Sequence, residues 1–284
     1  MARRNKDRTG PRTKGSDEIP ADLKQMMNPM DFVAPTDIVD LPSKGACYPE
    51  GHPLHEKDTI EIRYMTAKDE DILTSRSLLK KGIALDRLIS NLIVDKSINA
   101  KHLLVGDRNA IIINARASAY GHMYETTVTC PSCNESQKHS FDLTDPKVYH
   151  GDNWEDYEVE KTEKGTYKAT LPFSKIEVEM RLLVGADETQ ILKSISNSGK
   201  GTKEDSLITN QMRAFIVAVN EYDDPKIINY FVANIIAQEA RLLRNIMKAI
   251  TPDLRIADDF ECASCSHEQE LEVPFGADFF WPDR

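Results

Sequence analysis

Apolar and polar residues alternate at Thr59 to Tyr64, with Ile60, Ile62 and Tyr64 set against Glu61 and Arg63, and this period of two predicts a short strand. Asp37 to Leu41 reads as a second one, and the segment between them is a loop punctuated by Pro42, Gly45, Pro49, Gly51 and Pro53. The period then lengthens. Thr66 opens a helix with Asp69 three residues on, an acidic form of the capping box, and Ile72, Leu73, Leu78 and Leu79 face inward until Gly82 stops it. A second helix is predicted from Ala84 to about Val94, and a third capped by Asp107, apolar at Ile111, Ile112, Ile113 and Ala115 and ended by Tyr120-Gly121. From Tyr124 the period is two again. Thr126 to Cys130 and Ser140 to Leu143 should flank a knuckle, and Trp154 to Leu183 should hold two or three strands with turns at Lys164-Gly165 and Pro172-Phe173-Ser174. Beyond Gly185 helices are expected at Asp187 to Ser196, about Asp205 to Asn220, and Pro225 to Ile250, with Pro225 suited to a first turn. Asp258 to Phe260 returns to strand. The pattern is that of an α+β protein.

Chemistry enters with the cysteines. Four of the five fall in C-x-x-C pairs, Cys130 with Cys133 and Cys262 with Cys265, in matching frames VTCPSCNESQKHSFDL and FECASCSHEQELEVPF. Each frame reads as strand, knuckle, strand. Two such turns can converge four thiolates on one tetrahedral zinc ion, which leaves no open position for substrate and makes the metal structural. The separation is unusual, since nearly half the chain lies between the pairs where ordinary fingers have about 15 to 20 residues. The expected architecture is therefore a zinc ribbon built from distant knuckles, joined to a small β region and a helical insertion. Cys47 is left as a free loop cysteine, and His122, His139 and His267, near the pairs, as surface residues.

Other candidate chemistry is sparse. The run SGKGTKED at 198 to 205 resembles a phosphate loop but lacks its first glycine and its Ser or Thr after Lys200, and reads as an interhelix loop. There is no Ser-His-Asp pattern, no H-E-x-x-H and no dinucleotide fingerprint, so no catalytic residue is assigned. Near the end, Phe275, Phe279, Phe280 and Trp281 crowd together, too much apolar surface to leave in water; they should cover the protein's own core or plug a partner's groove.

Charge narrows the partners. A net charge of -10 works against nonspecific nucleic-acid binding, although Arg3, Arg4, Lys6, Arg8, Arg12 and Lys14 make the first residues a basic tail. No apolar stretch suits a membrane span or a signal peptide, and 40% hydrophobic residues suffices for a core, so a soluble protein of a reducing cytoplasm is expected. Four regions follow from the pattern: a disordered basic tail at 1–30, an N-terminal α+β part with the first knuckle at 31–150, a β region and helical insertion at 151–250, and the second knuckle with the aromatic segment at 251–284.

Taken together, LPSKGACYPEGHPL, GDRNAIIINARASAYGHMYETTVTCPSC and ITPDLRIADDFECASCSHEQELEVPFGADFFWPDR resemble the baseplate hub assembly proteins of T4-like contractile-tailed phages. The likeness is best over 37–145 and 225–284. It implies a non-enzymatic phage protein of the host cytoplasm during assembly, and a candidate component of the virion tail baseplate, that acts as a hub protein or assembly factor. The implied partners are other baseplate hub or tail proteins, with no membrane. A zinc-ribbon nucleic-acid-binding protein is the alternative.

Overall fold

The computed structural model describes residues 34–197, 207–273 and 277–280. The basic tail, the 198–205 run, Phe275 and Trp281 lie outside these. Strand β1 (Thr36–Asp40) pairs antiparallel with β2 (Thr59–Arg63), and the alternation turns Ile60 and Ile62 inward. Helix α1 (Ala67–Thr74) starts as expected: Thr66 N and Oγ1 donate to Asp69 Oδ2 at 2.9 and 2.8 Å. It is shorter than expected. Ser75 is extended, with ψ of 105°, and splits off α2 (Arg76–Lys80) before Gly82 is reached. Helix α3 (Ala84–Leu92) follows.

Helix α4 (Val105–Tyr120) is buried on every side, its buried positions including Ala110, Ile111, Ile112, Ile113 and Ala115, as befits the central element of a core. It packs against α3 and β1. Asp107 does not cap it. The helix begins three residues earlier than that cap would set, after the extended and buried Leu104, so Asp107 sits within the first turn. There its carboxylate accepts from Ser43 N at 3.0 Å, Ser43 Oγ at 2.7 Å and Tyr48 Oη at 2.7 Å, pinning the loop between β1 and β2 onto α4. Gly45 completes that loop with φ of +71°, and a Cβ there would come within 2.3 Å of Lys57 N.

Strands β3 (Met123–Thr129) and β4 (Ser136–Asp142) form the first knuckle hairpin, and β5 (Lys147–Tyr149) leaves it. Then β6 (Val159–Lys161), β7 (Tyr167–Thr170) and β8 (Glu177–Met180) form consecutive antiparallel pairs. Helices α5 (Gly185–Asn197) and α6 (Leu207–Phe215) come next. The helix expected to run to Asn220 stops at Phe215, and Ile216–Val219 instead forms β9, paired with β8. Its IVAV sequence is β-branched and buried, so sheet pairing overrides the helical pattern around it.

The long helix expected from Pro225 is two: α7 (Pro225–Asn234), capped by the Asp224 carboxylate on Lys226 N, and α8 (Ala237–Ile250). Ile235 and Ile236 between them are extended, with ψ of 136° and 145°. Here too tertiary bonds win: Glu239 in the first turn of α8 takes Phe173 N and Ser174 N at 2.9 and 2.8 Å, fixing where α8 starts. Strand β10 (Asp253–Arg255) returns to pair with β5 and packs on α4, and β11 (Ala257–Glu261) with β12 (Glu268–Glu272) makes the second knuckle hairpin. One hydrophobic cluster runs from Val39 to Phe280 and includes α4, the β6 to β9 sheet and α8. Phe279 and Phe280 belong to it, so these two aromatics cover the protein's own core.

Candidate metal centre

Each C-x-x-C pair sits at the tip of a hairpin with the same backbone circuit. In the first, Cys130 N donates to Glu135 O at 2.8 Å and Asn134 N to Cys130 O at 2.9 Å; in the second, Cys262 N donates to His267 O at 3.0 Å and Ser266 N to Cys262 O at 2.8 Å. Closing so tight a turn requires a left-handed residue just past the second cysteine. Asn134 and Ser266 fill it, with φ of 59° and 52°. The repeated sequence frame is therefore a repeated conformation.

The two tips meet. Cys130 Sγ lies 3.7 Å from Cys265 Sγ and Cys133 Sγ 3.6 Å from Cys262 Sγ, and all four sulfurs fall within 4.8 Å of one another. These are not disulfide distances, since a bonded pair would stand about 2.05 Å apart. They are close to the edge of a tetrahedral thiolate shell, which for bonds of about 2.3 Å is about 3.8 Å. Cys130 and Cys262 are buried while Cys133 and Cys265 face solvent. Phe260 closes the floor beneath the buried pair, with Val128 and Leu271 against it.

The backbone supports the charge such a shell needs. N–H groups of Ser264 and Cys265 aimed at the Cys262 sulfur lower that thiol to about 7. The Glu135 N–H acts likewise on Cys133, but the Cys265 thiol, burial, and the sulfurs of Cys262 and Cys130 together outweigh it and push the thiol up to about 12. A divalent cation among four sulfurs this close would stabilise their thiolate forms, and four such ligands would leave it no open coordination position.

Gln137, which the sequence analysis did not single out, and His139, which it left as a surface residue, join the hairpins. Gln137 Nε2 donates to Glu261 O at 2.9 Å while its Oε1 accepts from Ala263 N at 2.8 Å, so one side chain grips the second knuckle. His139 is no surface residue. Its side chain is 15% exposed and stands edge-on to Phe141 and Phe260, at 4.6 and 5.8 Å, with Nε2 3.4 Å from Asp258 Oδ2. The signal was present in the strand period, since 137, 139 and 141 share one face of β4. His122 is exposed and His267 half-buried, neither part of the sulfur cluster. Cys47 also stands apart, half-buried, its thiol pushed up by burial.

Comparison with known protein families gives a match to the T4 bacteriophage base plate protein family over residues 35–281. The chain belongs to this family. The matched span contains both knuckles and the core that joins them, so the sulfur cluster is a feature of a phage baseplate protein. No curated protein and no solved structure matches the chain. Among the described residues no helix is long and apolar enough to cross a membrane.

Proposed function

We propose that this baseplate protein is a non-enzymatic hub protein or hub assembly factor that works through protein–protein contacts, its fold clamped by one structural zinc ion on Cys130, Cys133, Cys262 and Cys265. The observation that carries the reading is the closed cluster of four sulfurs from two hairpins far apart in sequence. Zinc is the fitting cation, because a tetrahedral all-thiolate shell suits its size and lack of geometric preference. A closed shell binds no substrate, so the ion serves the fold and the outer surface carries the function. Its partners are then other hub or tail proteins, met in the host cytoplasm and at the tail baseplate.

Affinity purification of a tagged full-length copy from phage-infected cells tests this. Stoichiometric hub or tail proteins in the eluate are expected, and recovery of the chain without any tail protein would overturn the hub role. The alternative, a zinc-ribbon nucleic-acid binder, draws on the basic residues Arg3 to Lys14. It requires salt-sensitive DNA or RNA binding that deletion of residues 1–15 abolishes.

A further inference from the structure

The face of α8 turned away from the core carries Arg241, Arg244, Asn245 and Lys248, spaced i, i+3, i+4 and i+7 and so aligned in one stripe. The stripe forms one wall of a cleft of about 730 Å³, and Arg255 on β10 also lines it. Its apolar lining is Leu183, Phe215, Met247, Leu254, Ile256 and Val273. A second hollow continues it past Lys147 and Tyr149, sharing Asn245, Lys248 and Arg255.

Five cations line the two hollows against three carboxylates, Asp253, Glu272 and Asp156, a local excess of positive charge in a chain of net charge -10. Lys147 and Arg255 are partly offset by Glu270 and Glu272, at 3.2 and 3.4 Å. Among the described residues no carboxylate forms an ion pair with Arg241, Arg244 or Lys248. Arg244 and Lys248, four apart, and Arg241 and Arg244, three apart, are like-charge pairs that a solitary helix would avoid. The C-terminal end of the helix dipole favours Lys248, but Arg241, near the other end, gains nothing from it. The stripe is explained by what it faces.

We infer that this cleft docks an acidic peptide segment of a partner protein, one that alternates carboxylates with apolar side chains. The carboxylates would pair with the guanidinium forks of Arg241 and Arg244 and with the Lys248 ammonium, while the apolar residues would cover the Leu183, Phe215 and Met247 lining. A nucleic-acid strand fits less well. The side chains that line the cleft are predominantly aliphatic, Leu183, Met247, Leu254, Ile256 and Val273 among them, where bases need stacking surfaces. The inference rests on the reading of the chain as a protein that works by docking other proteins.

Fluorescence anisotropy of the full-length, zinc-loaded chain tests it. The probes are a short labelled peptide alternating Glu and Leu, an all-Glu peptide of the same length, and a single-stranded DNA oligonucleotide. The Glu-Leu peptide is expected to bind most tightly, and more weakly as salt rises. The double variant Arg241→Glu/Lys248→Glu, at exposed positions, should weaken it at least about tenfold with metal content and melting unchanged, while Lys164→Glu, outside the cleft, has no effect. No binding at low salt, equal binding by the double variant, or DNA bound as tightly as the peptide would each overturn the inference. Any of these results leaves the hub role and the zinc clamp standing, since those are read from copurified tail proteins and from metal content.

Discussion

Stripping the metal from this protein should lower its melting temperature by about 10 °C, and the size of that shift follows from where the two knuckles lie in the chain. In the unfolded polypeptide, bringing Cys130 and Cys133 to Cys262 and Cys265 closes a loop of about 130 residues, which costs about 5 kcal/mol on chain-entropy grounds. In the native protein that cost is already met, because Gln137 and His139 hold the first hairpin against the second. An ion binding both states therefore favours the native one by about 5 kcal/mol, and the preference appears as stability by mass action. Spread over an unfolding entropy of about 2.1 cal/mol/K per residue and the roughly 235 residues the structure describes, it amounts to about 10 °C. Scanning calorimetry of the zinc-loaded protein beside chelator-treated protein, with metal loss verified by elemental analysis, reads the shift. Cys130→Ser and Cys265→Ser, one from each knuckle, should reproduce it, and Cys47→Ser should not. A metal-free protein melting within about 2 °C of the loaded one would refute the reasoning, since the knuckles would then be held by side-chain contacts alone.

Asp107→Ala should cost about 4 kcal/mol in urea unfolding, because it leaves the Ser43 N–H, the Ser43 hydroxyl and the Tyr48 hydroxyl without their acceptor in a buried site. Phe279→Ala should cost about 3 to 5 kcal/mol, since the ring is 1% exposed and packs 4.8 Å from Tyr124; an unchanged midpoint would mean the aromatic end is dispensable to the core. Stability should also fall on the acid side through Asp69. Burial pushes its carboxyl up, but the hydrogen bonds from Arg63 and Thr66 more than offset this and hold it below the usual carboxylate range. A folded pKa below the unfolded value of about 3.9 means the contribution is present above about pH 4 and lost as pH falls through the folded pKa. The stability gap between wild type and Asp69→Asn should therefore shrink from pH 5 to pH 3, and a gap that stays constant would exclude the Asp69 carboxylate as its source.

What the sequence could reveal was what short stretches of chain decide by themselves. Thr66 and Asp69 are three residues apart, so their capping box is legible without the rest of the protein, and Pro225 behind Asp224 marks a helix start for the same reason. The repeated C-x-x-C frames foretold paired knuckles, because strand, turn and left-handed exit are all local. The errors fall where distant partners decide. Ile216–Val219 carries a helical pattern but pairs with β8, Ile235 and Ile236 break a helix that nothing in their own composition breaks, and Asp107 abandons its cap for Ser43 and Tyr48. The pairing of β5 with β10 joins three-residue strands from the middle and the C-terminal part of the chain, too short to leave a period. Around the sulfur cluster the four cysteines were visible and their support was not: Gln137 and His139 look like the polar side of an exposed strand until the second hairpin is laid against it.

The central claim is that two hairpins distant in the chain share one metal ion, and elemental analysis of the purified full-length protein by inductively coupled plasma mass spectrometry tests it most directly. One zinc per chain is expected, held through dialysis and lost with either cysteine pair. Protein without stoichiometric metal, or with one ion retained after Cys262→Ser/Cys265→Ser removes the second pair, would contradict it.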